Sequence, residues 1–297
     1  MIVNKIMKLD IMKLDIMKIL DGKKLSEEIQ HSLKKRVEIL KHNNIIPGLA
    51  IILVGENPES LNYIKYKQKA CLNVGMKINL ITLPENIDEN ILIDEINKLN
   101  NNDLIHGIII QLPLPRNLNE NNVLSNVSQN KDVDGFHEIN AGNLFLNRDN
   151  KRFIPCTPLG CIELIDHYKI DMEGLNITII GCSNLVGLPL SVLLLQRNAT
   201  ITLCNKYTQN IKEHTLNSDL IISCCGVPHL VKRDWIKQDV IIIDVGTTMV
   251  DGKVIGDVDF ENVKDMCSYI TPVPGGVGPM TITSLLKQTI EAAESKL

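Results

Sequence analysis

Short runs of isoleucine, leucine and valine alternate along this chain with segments that have helical periodicity. The most apolar runs lie at 48–55, 106–111, 176–181, 220–225 and 240–246. A strand that is apolar at almost every position is covered on both faces, which is typical of parallel sheets. The intervening helical segments supply the crossovers that parallel strands need. The sequence therefore predicts an α/β fold built on parallel sheets.

The order of these segments predicts two α/β units. A β-α-β-α-β pattern occupies 48–111, and a second set of strands and helices begins at Pro158. An asparagine-rich polar stretch at 117–150 separates them. The length of 297 residues agrees with two units, since a domain has about 150 residues.

Composition argues against several classes of function. The net charge of −4 does not provide the basic surface that a general nucleic-acid or anionic-membrane binder needs. No apolar run reaches the roughly 18 residues that span a membrane. The eight cysteines form no CxxC pair and no zinc-spaced cluster with histidine. We therefore expect no metal, and reduced thiols in a cytosol.

The first residues contain a repeat of the sequence IMKLD, with methionines at 7, 12 and 17. Acidic residues interrupt the apolar stretch that a secretion signal would need. We therefore expect residues 1–16 to be a disordered extension and the folded chain to begin at Met17.

The segment 57–74 predicts a helix with one lysine on an apolar face. At helical spacing this face carries Tyr63, Tyr66, Lys67, Ala70, Cys71 and Val74. Desolvation there lowers the pKa of a lysine toward a value useful for proton transfer. The alternative is a lysine whose amine reaches solvent at the edge of the face.

Three polar residues adjoin a predicted strand end or turn. Gln111 ends the strand at 106–111, and ligands bind beyond the carboxyl ends of parallel strands. Asp132 and Asp134 lie in the sequence KDVDGF, where a carboxylate could accept paired hydrogen bonds from an amidine-like ring edge. A polar strand end and a solvated turn are the alternatives.

The segment GCSNLVGLP, at 181–189, follows a strand and opens a helix. It is not a GxGxxG motif, but backbone N–H groups at the start of a helix attract phosphate. The next strand ends in CNKYT, with Lys206 and no acid. NAD sites usually carry an acid there, whereas a cation suits the 2′-phosphate of NADP. A plain β-α turn is the alternative.

The segment TPVPGGVGPMT, at 271–281, predicts a rigid loop before a last helix that begins at Ile282. Its glycines allow close approach of the backbone, and its prolines fix its shape. It lacks the GK[ST] of a phosphate-binding loop. A purely structural connection is the alternative.

Together these segments resemble the bifunctional methylenetetrahydrofolate dehydrogenase/methenyltetrahydrofolate cyclohydrolase family. The resemblance rests on ILDGK, VGENPES, KACLNVG, GIIIQLPLP, KDVDGF, PCTPLG, GCSNLVGLP, IDVG and YITPVPGGVGPMT. It implies a folate-binding domain at 17–134 and a Rossmann-like NADP-binding domain at 135–297, with the active site in the cleft between them. It also implies a last helix, about 282–297, that packs on the first domain, and a cytoplasmic homodimer.

The resemblance implies roles for individual residues. The catalytic set is Lys67, Tyr63, Gln111 and Asp134. Gln111 hydrogen-bonds the lysine, and Asp134 holds the pterin ring. Further substrate contacts are Ile110, Leu112, Pro274, Gly275, Gly276, Val277 and Gly278. The NADP contacts are Gly181, Cys182, Ser183, Lys206 and Thr247. Because Cys182 carries no charge, the 2′-phosphate prediction depends on Lys206 alone.

The implied activity belongs to one-carbon metabolism and has two steps. A hydride passes from 5,10-methylenetetrahydrofolate to NADP⁺, and the methenyl product is then hydrolysed to 10-formyltetrahydrofolate. The tetrahydrofolate derivatives are the small-molecule partners, and we predict that Lys67 handles the protons of the hydrolysis.

Three alternatives stay open: a dehydrogenase alone, a folate- or nucleotide-binding protein without turnover, and another Rossmann dehydrogenase. Binding alone would not need a desolvated lysine, and other Rossmann dehydrogenases have no role for KDVDGF or for the 271–281 segment.

Overall fold

The computed structural model describes residues 18–148 and 153–297. The expectation of a disordered extension at 1–16 lies outside the described residues.

The first half of the chain contains, in order, β1 (Lys18–Ile19), α1 (Gly22–His42), β2 (Gly48–Val54), α2 (Pro58–Val74), β3 (Lys77–Leu83), α3 (Glu89–Asn100), β4 (Gly107–Ile110), α4 (Glu120–Ser125) and α5 (Glu138–Phe145). The second half continues with α6 (Cys156–His167), β5 (Asn176–Ile180), α7 (Gly187–Leu195), β6 (Thr200–Cys204), α8 (Ile211–Leu216), β7 (Leu220–Ser223), β8 (Val240–Asp244), β9 (Thr248–Val250), β10 (Lys253–Ile255), α9 (Phe260–Val263), β11 (Cys267–Ile270) and α10 (Val277–Glu294). Single turns of 3₁₀ helix lie at Arg233–Trp235 and Lys264–Met266.

The first unit is built on a three-stranded parallel sheet with the order β3-β2-β4. Every residue of the central strand, β2, is buried. Its side chains alternate between two cores: Ile51 faces one, and its neighbour Ile52 faces the other. Burial on both faces explains why the strand is apolar throughout.

The second unit is built on a six-stranded parallel sheet with the order β1-β11-β8-β7-β5-β6. The chain runs from β5 to β6 on one side and then crosses to β7 on the other. The order of strands therefore reverses at β5, which makes a crevice at the carboxyl ends of β5 and β7. The strands β9 and β10 form a separate antiparallel hairpin. The predicted fold class, two α/β domains with parallel sheets, is confirmed.

The two chain ends cross between the units. The strand β1 pairs with β11, so that Ile19 lies opposite Ile270 at the edge of the second sheet. The final helix, α10, packs against both α1 and α6. Its residues Leu286 and Ile290 are fully buried in the core of the first unit. Each unit is thus completed by a segment from the far end of the chain.

Two local predictions are wrong. The last helix begins at Val277 instead of Ile282, so the end of the predicted 271–281 loop is helical. Pro279 lies in the first turn of this helix, where a backbone N–H would have no partner within the helix. On α2, the side chain of Tyr66 is 65% exposed, so it does not belong to the buried face that contains Lys67.

Candidate active site

A cavity that is partly open to solvent lies between the two units. The first unit contributes Tyr63 and Lys67 from α2, Gln111 from the end of β4, and Asp134. The second unit contributes the loop that joins β5 to α7, through Leu185 and Val186. The structure therefore brings the four predicted catalytic residues into one cavity, together with the loop predicted to bind the cofactor.

The amine of Lys67 is desolvated inside this cavity. Its side chain is only 5% exposed, which excludes the alternative in which it reaches solvent. Its Nζ donates a hydrogen bond to Gln111 Oε1 at 3.1 Å and lies 4.9 Å from the centre of the Tyr63 ring. Burial lowers the pKa of Lys67, and the charge of Asp134 partly opposes this shift. A lysine in this setting can lose and regain a proton during a reaction.

Gln111 is held so that its carbonyl oxygen faces the lysine. Its backbone N–H donates to Ile52 O at 2.8 Å, which extends the pairing of β4 with β2. Its side-chain Nε2 donates to Leu112 O at 2.9 Å. Because the amide nitrogen is used in this way, Oε1 is the atom presented to Lys67.

Tyr63 and Cys156 are neutral groups beside the lysine. Burial raises the pKa of the Tyr63 hydroxyl, and the charge of Asp134 raises it further. Burial also raises the pKa of the Cys156 thiol, which donates to Val133 O at 3.3 Å. Neither group is therefore a base at neutral pH, and the lysine is the better proton acceptor of the three.

The two aspartates of KDVDGF have different roles. Asp132 is buried and accepts hydrogen bonds from Phe136 N, His137 N and Asn140 Nδ2 at 3.1, 2.8 and 2.8 Å. Burial raises the pKa of Asp132 to about 6. Asp132 thus fixes the turn from inside the fold, whereas Asp134 lines the cavity.

The structure also shows residues that the sequence analysis missed or placed differently. Cys156 and Thr281 line the cavity. The motifs that contain them, PCTPLG and YITPVPGGVGPMT, contribute to the family resemblance, but the sequence predicts no role for either residue. The predicted contacts Ile110 and Leu112 line it as well. The segment Pro274–Gly278 does not. There Gly275 O accepts a hydrogen bond from Lys23 N at 2.8 Å, and Val277 is buried in a core.

The loop after β5 lies at the crevice where the strand order reverses. Gly181 has a φ of +116°, and a Cβ at this position would lie 2.6 Å from Cys224 O, so only glycine fits. Gly187, the first residue of α7, packs so closely that a Cβ there would lie 1.9 Å from Gly181 O. Ser183 is exposed, and its Oγ accepts a hydrogen bond from Val186 N at 3.1 Å.

The residues after β6 approach the same loop. Gly181 N donates to Cys204 O at 2.8 Å, and the Cys182 thiol donates to the same oxygen at 3.3 Å. Lys206 follows β6, is exposed, and carries its amine 5.0 Å from the centre of the Tyr207 ring. Thr247 is exposed after β8, beyond β7 in the same sheet. A helix start beside a solvent-exposed cation fits a dinucleotide with a 2′-phosphate.

In residues 18–148 and 153–297, no group of three or more histidine, cysteine, aspartate or glutamate side chains is placed to hold a metal ion. Across the same ranges, no helix has both the length and the apolarity needed to cross a bilayer.

The fold and the cavity define a class of protein: a two-domain α/β enzyme with a desolvated lysine facing a Rossmann-like domain. The tetrahydrofolate dehydrogenase/cyclohydrolase catalytic domain, as a family sequence model, matches residues 20–134, and the NAD(P)-binding domain of the same family matches residues 155–297. The chain belongs to the tetrahydrofolate dehydrogenase/cyclohydrolase family.

Relatives match over nearly the whole chain. The bifunctional protein FolD of Nitratiruptor sp. is 49% identical over 94% of this chain and 98% of its own length. The crystal structure of the bifunctional FolD methylenetetrahydrofolate dehydrogenase/cyclohydrolase from Campylobacter jejuni is 47% identical, with a TM-score of 0.93, over 95% of this chain and 100% of that one. The Trypanosoma brucei enzyme, solved with NADP and an inhibitor, is 33% identical, with a TM-score of 0.91, over 94% and 98%. The predictions of a bifunctional dehydrogenase and cyclohydrolase, of NADP as cofactor and of folate ligands are confirmed.

Proposed function

We propose that this chain oxidises 5,10-methylenetetrahydrofolate with NADP⁺ and hydrolyses the methenyl product to 10-formyltetrahydrofolate in the cavity between its domains. The observation that carries this proposal is the buried amine of Lys67, hydrogen-bonded to Gln111 at 3.1 Å, in a cavity lined by both domains. We assign the folate-binding domain to 17–134 and the NADP-binding domain to 135–297.

Substrate binding uses the first domain. Asp134 lines the cavity and accepts paired hydrogen bonds from the pterin ring, as a carboxylate can from an amidine-like edge. Tyr63 packs on the folate, and Ile110 and Leu112 contact it. We keep Pro274, Gly275, Gly276, Val277 and Gly278 as proposed substrate contacts on the family resemblance. They do not line the cavity themselves, but they directly precede or begin α10, whose Thr281 does line it.

Oxidation depends on how the second domain holds NADP. When bound, NADP⁺ supplies the carbon, C4 of the nicotinamide, that accepts the hydride. Gly181, Cys182 and Ser183 offer backbone N–H groups to the phosphates. Thr247 contacts the cofactor from the segment that follows β8. Lys206 recognises the 2′-phosphate. These residues act by orientation, which brings the two reacting carbons together.

Hydrolysis depends on Lys67. Its neutral amine accepts a proton from the water that attacks the methenyl carbon. The ammonium then donates a proton to N5 as the bond between that carbon and N5 breaks. The hydroxyl on the carbon loses its proton to solvent, which leaves the formyl group on N10 and releases one proton overall. Burial lowers the pKa of Lys67, so its neutral amine is more accessible than that of a lysine in water, which favours both transfers.

The test is a coupled assay of the purified protein with methylenetetrahydrofolate and NADP⁺, in which NADPH and methenyltetrahydrofolate are followed separately. Lys67→Met is expected to lower the rate of methenyl hydrolysis at least about a hundredfold, the range that general acid–base catalysis supplies. Lys65→Met is the matched control, because Lys65 lies on the exposed face of the same helix. Normal hydrolysis by Lys67→Met would contradict the proposed role.

The same assay decides between the alternatives. NADPH together with methenyl compound that persists would indicate a dehydrogenase alone. Neither signal would indicate a binding protein without turnover.

We also propose that the protein is a cytoplasmic homodimer. The dimer is supported by exposed apolar side chains on α7 and on α5 and β6, which both pack against it. These side chains are Phe145, Leu188, Leu195 and Leu203. The strand β6 is also the edge of its sheet, and such edges pair readily with a second chain. A molar mass of one chain in light scattering would contradict the dimer.

A further inference from the structure

Asp257 is a buried carboxylate that binds the loop after β7. Its side chain is fully buried. Its Oδ2 accepts hydrogen bonds from Ser223 Oγ, Cys225 N and Gly226 N at 2.9, 2.8 and 3.3 Å. Its Oδ1 accepts from Val227 N at 2.7 Å. These donors are uncharged, and consecutive backbone N–H groups converge on one anion. One carboxylate therefore determines the path of residues 223–227.

A second buried carboxylate holds Asp257 in place. Asp244, the last residue of β8, accepts hydrogen bonds from Asp257 N at 3.0 Å and from Val258 N at 2.9 Å. It also accepts from Gly246 N at 3.1 Å. The end of β8 is thereby tied to the segment 256–258, and that segment is tied to the loop after β7.

Two glycines leave the space that the carboxylates occupy. A Cβ on Gly246 would lie 2.1 Å from Asp257 Oδ1, and a Cβ on Gly256 would lie 2.0 Å from Asp244 Oδ2. Any larger residue at either position would displace a carboxylate. The backbone is therefore shaped around this pair.

The loop that Asp257 holds borders the cofactor site. Cys224 O is the atom that a Cβ on Gly181 would meet, at 2.6 Å. On the other side, Thr248 Oγ1 donates to Gly226 O at 3.2 Å, next to Thr247. The loop thus lies between the proposed phosphate-binding loop and the proposed contact after β8, at the crevice where the strand order reverses.

We propose that Asp257 is a positioning residue for NADP: it fixes the loop 223–227 against which the cofactor is bound, and it takes no part in methenyl hydrolysis. This inference rests on the proposed NADP contacts. Hydrolysis uses Lys67, in the first domain, and consumes no NADP. The two activities of the protein therefore provide an internal comparison, since a positioning role affects one reaction and general unfolding affects both.

The test compares Asp257→Asn with the wild-type protein. The introduced amide would turn its N–H₂ group toward backbone donors, so we expect the KM for NADP⁺ to rise about tenfold or more, as for a lost charge-assisted hydrogen bond. The calorimetric affinity for NADP⁺ should fall in parallel, while the rate of methenyl hydrolysis stays within about twofold. The matched control is Asp259→Asn, two residues away in the same segment, where the side chain is partly exposed. The KM of this control variant for NADP⁺ should equal that of the wild type.

Ser223→Ala is a milder second variant, because it removes a single donor to Asp257 and leaves the backbone donors in place. We expect a rise of a few fold in the KM for NADP⁺. The inference is overturned if both variants keep the wild-type KM, or if hydrolysis falls in step with NADP⁺ affinity. A failure of the proposed function would instead be visible in the wild-type protein, as an absence of NADPH formation.

Discussion

Gln288 of α10 links Val133, in the first domain, to Ile154, in the second. Its side chain is 3% exposed. Its Oε1 accepts from Ile154 N at 2.8 Å, and its Nε2 donates to Val133 O at 2.8 Å and to Ile154 O at 2.9 Å. We predict that Gln288→Met, which keeps the side-chain volume similar, lowers the free energy of unfolding.

The magnitude follows from the groups left without this partner. Val133 O still receives the Cys156 thiol at 3.3 Å, so the main loss falls on the N–H and C=O of Ile154. A buried group without a partner costs about 1–3 kcal/mol, which gives about 2–6 kcal/mol for two. Ile154 is only partly buried, and water can reach it, so we expect about 2–4 kcal/mol.

The assay is equilibrium unfolding in urea, followed both by circular dichroism and by the fluorescence of Trp235. Gln238→Met is the control: Gln238 is exposed, and its substitution should change the free energy by less than about 0.5 kcal/mol. Because Asp134 follows Val133, methenyl hydrolysis should also slow several fold. A loss of stability no larger than that of the control would refute this reasoning.

Two further predictions concern the charged groups of the site. Lys206→Ala is expected to raise the KM for NADP⁺ about tenfold or more without changing the KM for NAD⁺. Initial rates with each cofactor measure both constants. An equal rise in both would contradict the assignment of Lys206 to the 2′-phosphate. Burial lowers the folded-state pKa of Lys67 below its ordinary value of 10.5, so between these two values the unfolded chain binds more protons and stability rises with pH. Lys67→Met should abolish this rise and should be more stable than the wild type at pH 7, since it removes an amine whose protonated form is disfavoured by burial. Urea unfolding across alkaline pH checks both.

The main strands and helices of the fold could be predicted from the sequence, because they depend on local hydrophobic pattern. Strands such as β2 are apolar at every position, and Lys67 could be placed on a buried face from helical spacing alone. Tyr66 was misplaced by the same spacing, since a helix face has an edge that only the packing of the second element defines. The start of α10 was missed because GVGPMT has neither the apolar period of a helix nor a side-chain cap.

The buried polar links between distant segments could not be predicted. Asp257 and Gln288 are single polar residues whose partners lie about 30 to 155 positions away, and no local motif marks them. The edge strand β1 is only two residues long, which is too short for a period to appear. Such features depend on which segments the whole topology brings together.

Because β1 and α10 cross between the two domains, we expect that neither domain folds as a separate fragment. A cut near residue 150 would leave an amino-terminal fragment without the helix that fills its interior, and a carboxyl-terminal fragment with a bare sheet margin. Neither fragment would retain the apolar surface it needs to fold independently. Oxidation and hydrolysis therefore need the whole chain. Two separate fragments would recover these activities only if they associated with β1 and α10 in their native positions.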